Sequence, residues 1–540
     1  MLSSDSIFYM KKSAIFFCFL CFTFIGRGQL KSEHGLLTVK TSNGLLKGTG
    51  ESGITTFKGV PYAQAPVGDL RWKEPQPAKN WEGTRNADHF AARAMQLPIY
   101  SDMVFRSDGV SEDCLYLNIW TPAKTGKESL PVLVYFYGGG FIAGDGSELR
   151  YDGENMGRRG IVAVTINYRL GVFGFLAHPD LTKESPHHAS GNYGLMDQTE
   201  ALRWVHKNIA AFGGNPDNVT IAGESAGSYS VSAQVVSPLP RNLFAGAIGE
   251  SGSLLGLNPV LSLKDAEKQG LKLGDSLGAH SIKALRALPA EQVLQAASKP
   301  GFGGIPVDVD GYFFPESPLT LYTTGRVAKV PLLVGWNSAE ASWSWAFGKD
   351  APTKENYIKV VNRLYPKNAD GILKLYDAKN DSDVERVATA LMSDGFIGFS
   401  TWKWAELHAK TNSGVYRYYY TKPRPGLRAD INKTSAAAEP KKPGTYEGAV
   451  HSAEIEYALG NLPGNRVFDW QPDDYLVSAV MQDYFLNFIK TKNPNGMGLP
   501  YWPLYQDWQK DPIQYIGIET GRQPDITRDR YIFLEKMNTK

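Results

Sequence analysis

Short apolar runs recur along the chain and alternate with stretches of helical periodicity. Leu130–Phe136 (LPVLVYF) and residues 161–166 (IVAVTI) are continuous and rich in β-branched side chains, which predicts strands buried on both faces. Residues 219–222 lead into a glycine-bounded turn, and Ala226–Val236 then reads as a helix. Residues 330–334 (VPLLV) and Val415–Tyr420 (VYRYYY) are two further strand candidates. The alternation predicts an α/β fold with a large, mostly parallel central sheet flanked by helices. Residues 422–448, rich in Pro, Lys, Ala and Gly, read as a long mobile loop. No repeat and no linker divides the rest, so one large domain is expected.

The first residues follow a different pattern. Lys11 and Lys12 precede an apolar run from Ala14 to Ile25, and Gly26-Arg27-Gly28 follows. This is the layout of a secretory signal peptide, expected to occupy residues 1–28 and to leave residues 29–540 as the mature domain. The alternative, a membrane anchor, would need a longer run. No later stretch is long and apolar enough for stable membrane insertion after cleavage. Two of the three cysteines, Cys18 and Cys21, fall inside the leader, so Cys114 is expected to be a lone thiol with no disulfide partner. Thiolate metal binding is excluded by that count.

Composition narrows the function. The 540 residues carry 57 Lys+Arg against 55 Asp+Glu, and 42% are hydrophobic. A globular chain with an ample core follows, and a nucleic-acid partner is not expected, because phosphate binding needs a basic excess.

The sharpest chemical signal is Gly223-Glu224-Ser225-Ala226-Gly227, set between a strand and a helix. A serine on that turn is exposed at a helix N-terminus, where backbone N–H groups favour developing negative charge. Gly138-Gly139-Gly140 follows the strand ending at Phe136. Its backbone can approach a ligand closely and aim its N–H groups inward as oxyanion donors, and the Ala226 N–H would supply a further donor from the serine turn. A phosphate cradle would need a terminal Gly-Lys-Ser/Thr, and Phe141-Ile142-Ala143 stands there instead.

A nucleophilic serine needs a base. Of nine histidines, His280, His408 and His451 follow Ser225, the order this strand arrangement requires. His280 and His408 lie in helix-like polar segments and read as surface residues. His451 opens the acidic helical segment 452–459 and would stand over the carboxyl edge of the sheet. Glu340 is the carboxylate nearest the end of the strand at 330–334, and would orient His451 through its Nδ1–H.

These residues together resemble the type-B carboxylesterase and cholinesterase family of α/β-hydrolases over almost the whole mature chain. Phe57-Lys58-Gly59-Val60-Pro61-Tyr62-Ala63, Ser111-Glu112-Asp113-Cys114-Leu115-Tyr116-Leu117-Asn118, Asn167-Tyr168-Arg169 and Gly191-Asn192-Tyr193-Gly194 carry the resemblance, with Phe212-Gly213-Gly214-Asn215-Pro216 leading into the Ser225 turn. It implies an α/β-hydrolase fold and a Ser225–Glu340–His451 triad served by Gly139, Gly140 and Ala226. It also implies structural ion pairs Arg71–Glu112 and Arg169–Asp197. The chain departs from the family at Ala94, where a disulfide partner for Cys114 commonly stands. It departs again between Met95 and Asp113, where cholinesterases place a tryptophan and this chain has Tyr100 and Phe105.

The expected reaction is hydrolysis of carboxylic esters through an acyl-enzyme, with a small-molecule substrate and no metal or organic cofactor. Glu224, Phe302 and Trp343 are the candidate pocket residues, with residues 303–306 forming an acyl site and Trp336 and Trp345 at the entrance. Aryl or alkyl esters of small to medium acids fit this reading, and choline esters do not. Two rivals are a non-catalytic cholinesterase-like binding protein and an amidase or peptidase on the same scaffold. An intact triad argues against the first. The leader and the lack of disulfides point to a periplasmic or secreted enzyme of bacterial type.

Overall fold

The computed structural model describes residues 36–257, 260–300, 302, 307–428, 448–506 and 512–538. The expected leader, residues 303–306 of the expected acyl site and most of the loop at 422–448 lie outside them.

Eleven strands form one sheet. In chain order they are β1 (Thr49–Glu51), β2 (Ile54–Pro61), β3 (Tyr116–Thr121), β4 (Leu130–Phe136), β5 (Val162–Ile166), β6 (Gly214–Glu224), β7 (Gly246–Glu250), β8 (Leu332–Asn337), β9 (Val415–Tyr420), β10 (Ile513–Ile516) and β11 (Gly521–Gln523). The spatial order is β11-β10-β9-β8-β7-β6-β4-β5-β3-β2-β1. The seven strands β4 to β10 pair in parallel, and antiparallel strands close both edges. β4, β5 and β7 are buried almost throughout, as continuous apolar runs predict for strands covered on both faces.

Two predicted strands begin elsewhere. The strand read at 219–222 extends over Gly214–Glu224, with a register shift between Gly214 and Val219, so apolar content marks only its regular half. The strand read at 330–334 runs from Leu332 to Asn337, which carries its carboxyl end to the residues that bear the acid.

Two helices matter most for the site. The helix α1 (Ala226–Val236) runs from the turn after β6 and is buried along nearly its whole length. Helix α2 (Phe399–Ala409) continues a π-helical turn, Asp394–Gly398, against β8.

His408 corrects the sequence reading. It lies at the end of α2 but is fully buried, not a surface residue. Its Nε2 bonds the Val330 carbonyl at 2.7 Å, and its Nδ1 faces the Tyr322 hydroxyl at 3.3 Å. Those two partners satisfy a neutral imidazole, and burial holds its pKa down at about 4. His280 is exposed, as expected.

The expected ion pairs are present. Arg71 meets Glu112 at 2.6 Å, and Arg169 meets Asp197 at 2.7 Å with both side chains buried. Cys114 is a buried free thiol. The loop read as mobile is anchored at its start: Lys422 pairs with Asp474 at 2.9 Å and Arg424 with Glu456 at 2.9 Å. Among the described residues no helix is long and apolar enough to cross a membrane.

Candidate active site

Ser225 stands between the last residue of β6 and the first of α1, with φ 55° and ψ −122°. That backbone conformation is rare for a residue with a Cβ, and the flanking glycines explain how the turn is held. A Cβ on Gly223 would approach the Phe136 carbonyl oxygen to 2.6 Å, and one on Gly227 would collide with the same oxygen. Only glycines allow β4 and α1 to close on the turn from both sides. The Ser225 N–H then donates to the Glu250 carbonyl at the end of β7 (2.9 Å), which fixes the turn to the sheet.

His451 is placed by the end of β8. Ala339 N–H donates to Ala449 (2.8 Å), and Asn337 Nδ2 donates to the Val450 carbonyl (2.9 Å). These bonds bring the chain before His451 beside the turn carrying Glu340. The three residues named from the sequence meet: His451 Nε2 lies 2.9 Å from Ser225 Oγ, and His451 Nδ1 lies 2.7 Å from Glu340 Oε2. A carboxylate can only accept, so Nδ1 carries a proton in either charge state, and Nε2 is the nitrogen that acts as base once the imidazole is neutral.

The glycine loop borders the serine. A Cβ on Gly138 would come within 3.2 Å of the Ser225 Cβ. Gly139 and Gly140 follow with φ 105° and 63°, and their N–H groups, like that of Ala226, have no acceptor among the described residues. Three free donors beside a serine can hold an oxyanion.

Three buried carboxylates act on the histidine, and a fourth, Glu250, lies behind them. Glu340 Oε1 accepts from the Asn337 N–H (2.6 Å) and from Ser251 Oγ (2.5 Å). Ser251 also reaches Glu454 at 3.2 Å, and Asn337 Nδ2 bonds Glu454 at 2.5 Å. Glu224 Oε1 stands 3.3 Å from His451 Nε2. Glu250 accepts from the Tyr135 hydroxyl at 3.1 Å. Burial pushes Glu224 up to about 8 and Glu454 to about 7, and it holds Glu250 well above the usual carboxylate range. Burial works against a charged His451, but Glu224, Glu340 and Glu454 outweigh it and lift the imidazolium to about 10.

The pocket expectations divide. Glu224 is at the site. Phe302 lies partly buried against the main core, and Trp343 packs edge-on to Phe347 (5.4 Å) beside a second core cluster. Trp336 is 1% exposed and packs against Tyr419 and Tyr531, so it is a core residue and does not line an entrance. Trp345 is 59% exposed and lies edge-on to Phe396, whose ring in turn meets His451 edge-on at 5.4 Å.

Sequence reasoning missed Ser251, Asn337, Glu454 and Phe396. Glu454 had a signal, since it lies three residues after His451 in an acidic segment. Phe396 projects from the π-helical turn, whose Asp394 is held by the hydroxyls of Tyr376 (2.8 Å) and Tyr531 (3.0 Å). The local excess of one residue per turn re-aims the ring, and apolar periodicity does not announce it.

Known proteins resemble this chain over nearly its full length. The family pattern described as "Carboxylesterase family" matches residues 36–534. Fumonisin B1 esterase of Sphingopyxis macrogoltabida is 34% identical over 510 residues, covering 91% of this chain and 88% of that protein. Acylcarnitine hydrolase of Mus musculus is 34% identical over 508 residues, covering 88% and 85%. Among solved structures, the carboxylesterase Est55 of Geobacillus stearothermophilus superposes with a TM-score of 0.77 at 30% identity, covering 92% of this chain and all of that one. A PNB esterase superposes with a TM-score of 0.74, also at 30% identity, covering 93% of this chain and 100% of that one.

Proposed function

The chain belongs to the carboxylesterase family and is a serine hydrolase of carboxylic esters with the α/β-hydrolase fold, and we propose that Ser225, His451 and Glu340 carry the reaction. The observation that supports this assignment most directly is the pair of hydrogen bonds that His451 makes, to Ser225 at one nitrogen and to Glu340 at the other.

His451 Nε2 takes the Ser225 proton as Oγ attacks the ester carbonyl carbon. The carbonyl oxygen becomes an oxyanion within reach of the N–H groups of Gly139, Gly140 and Ala226. Glu340 stabilises the imidazolium and keeps Nδ1 protonated. The C–O bond to the alcohol breaks, and the alkoxide oxygen takes the proton from Nε2. Water, deprotonated by the same nitrogen, then attacks the acyl-enzyme and releases the acid and Ser225.

The substrates proposed are aryl or alkyl esters of small to medium acids, with Phe396 and Trp345 giving an apolar wall beside His451. Relatives named as a fumonisin B1 esterase and an acylcarnitine hydrolase support the ester class. Residues 1–28 are proposed as an export leader on the strength of Lys11, Lys12 and the apolar run that follows, which would make the enzyme periplasmic or secreted.

Hydrolysis of p-nitrophenyl butyrate by Ser225→Ala and His451→Ala tests the assignment. Each substitution is expected to lower kcat by several orders of magnitude, about as much as both together. A fluorophosphonate should label the peptide containing Ser225 and no other. Undiminished turnover in Ser225→Ala overturns the assignment.

A further inference from the structure

The loop formed by residues 96–109 roofs the oxyanion glycines. A Cβ on Gly139 would lie 3.2 Å from Met103 Cε, and one on Gly140 would lie 3.4 Å from the Tyr100 hydroxyl. Tyr100 is 41% exposed, and its hydroxyl has no hydrogen-bond partner among the described residues.

The loop is held rigidly for a surface segment. Arg150, 4% exposed, donates from Nη2 to the Asp102 carbonyl (3.0 Å) and to its carboxylate (3.1 Å), while its Nε bonds Glu148 at 2.6 Å. Beyond Met103, Arg106 donates from its N–H to Ser147 Oγ (2.9 Å) and from Nε to the Ser147 carbonyl (2.6 Å), and it pairs with Asp152 at 2.8 Å. A buried charged chain on one side and a backbone clamp on the other fix the approach of Tyr100 to Gly140.

The geometry of the reaction tells which half of the ester this hydroxyl meets. With the carbonyl oxygen at Gly139, Gly140 and Ala226, the alcohol oxygen must lie within reach of His451 Nε2 to take its proton. Glu224 stands 3.3 Å from that nitrogen, so its carboxylate borders the place the alcohol oxygen must occupy. Tyr100 borders the same glycine loop: a Cβ on Gly138 would lie 2.8 Å from Glu224 Oε2, as one on Gly140 would lie 3.4 Å from the Tyr100 hydroxyl. The phenol is therefore a donor that no protein group among the described residues engages, placed on the glycine loop that Glu224 also borders.

We propose that Tyr100 is a specificity-determining residue that donates a hydrogen bond to an acceptor oxygen in the alcohol part of the ester, so that the enzyme favours alkoxyalkyl and hydroxyalkyl esters over plain alkyl esters. The inference rests on the assignment of Ser225 as nucleophile and deepens it by naming the alcohol class.

The test uses 2-methoxyethyl butyrate and n-butyl butyrate, which differ by one oxygen in place of a methylene. The ratio of their kcat/KM values, divided by the ratio of their hydroxide-catalysed rates, reads recognition alone. Wild-type enzyme is expected to favour the methoxyethyl ester, and Tyr100→Phe to lower the ratio about three- to tenfold, the worth of one neutral hydrogen bond. A merely structural role would lower both rates together and leave the ratio in place. A corrected wild-type ratio at or below unity, or an unchanged ratio in Tyr100→Phe, overturns the proposal. So does failure to cleave either ester, even where p-nitrophenyl butyrate is cleaved at Ser225, so the two assignments fail separately.

Discussion

Asn337 and Glu454 share a hydrogen bond of 2.5 Å, from the Nδ2 of the strand residue to the carboxylate lying three positions after His451. The same Nδ2 bonds the Val450 carbonyl, so one side chain at the end of β8 holds the histidine loop on both sides of the imidazole. Asn337→Leu removes the donor shared by the Val450 carbonyl and the Glu454 carboxylate, leaving Ala453 N–H on the first and Ser251 on the second. It is expected to lower kcat on p-nitrophenyl butyrate by about 10- to 100-fold with a smaller change in KM, because the base loses its position and not its substrate. Steady-state kinetics on the purified variant would decide. An unchanged kcat would mean that the loop is held by other contacts.

The pH dependence follows from the carboxylates around His451. Because Glu224, Glu340 and Glu454 favour the imidazolium and lift it to about 10, the neutral base becomes available only as pH rises. The acid limb of kcat/KM is expected well above the ordinary histidine value of about 6.5. Glu224→Gln removes one of the three anions, so the imidazolium is less favoured and the limb moves to lower pH. A wild-type limb at or below the ordinary value, or a limb unmoved by the substitution, contradicts the account.

Acid stability should depend on His408. Its folded pKa of about 4 lies below the unfolded value, so the unfolded chain binds the extra proton first. The contribution is fully present above about pH 6.5 and is lost as pH falls towards 4, by up to ~3 kcal/mol. Urea unfolding between those limits measures it. His408→Gln, which retains a donor and an acceptor, is expected to be less stable at neutral pH and to lose less on acidification. An equal pH slope in both proteins refutes the linkage.

Cys114 is buried and its thiol is held well above its usual pKa by burial, with the Asp197 charge adding to the effect. In protein from which residues 1–28 have been removed it is the single cysteine. Ellman's reagent is expected to titrate no thiol in the native state and one in guanidinium chloride. A fast native reaction would show that the site around Ala94 opens.

The buried pair Arg169–Asp197 sits beneath that thiol. Asp197→Asn leaves the guanidinium without its counter-charge and is expected to cost about 3–5 kcal/mol, read as a lower urea midpoint.

Much of the frame was legible because its signals are local. Leu130–Phe136 and Val415–Tyr420 are strands over the very residues that the apolar runs mark, and the Gly-bounded serine turn carries its own steric reason in Gly223 and Gly227. The meeting of Ser225, Glu340 and His451 was readable from order along a parallel sheet, since strand ends converge at one edge. What surrounds them was not. Ser251 reaches Glu340 only because β7 and β8 are neighbours, and His408 is buried only because α2 lies on Tyr322 and Val330. Such contacts join residues whose individual patterns read as ordinary surface or loop. Trp336 failed in the opposite sense: its nearness to the acid in sequence says nothing of the face of β8 from which it projects.

The backbone at Ser225, with φ 55° beside a Cβ, carries a conformational penalty on the order of 1–3 kcal/mol that the rest of the fold must absorb. Glycine would sit there without that penalty. The sturdiest version of this molecule is therefore an inert one: Ser225→Gly should melt later than the wild type while cleaving nothing, and a screen that selects for heat resistance alone would drift towards silence at this position.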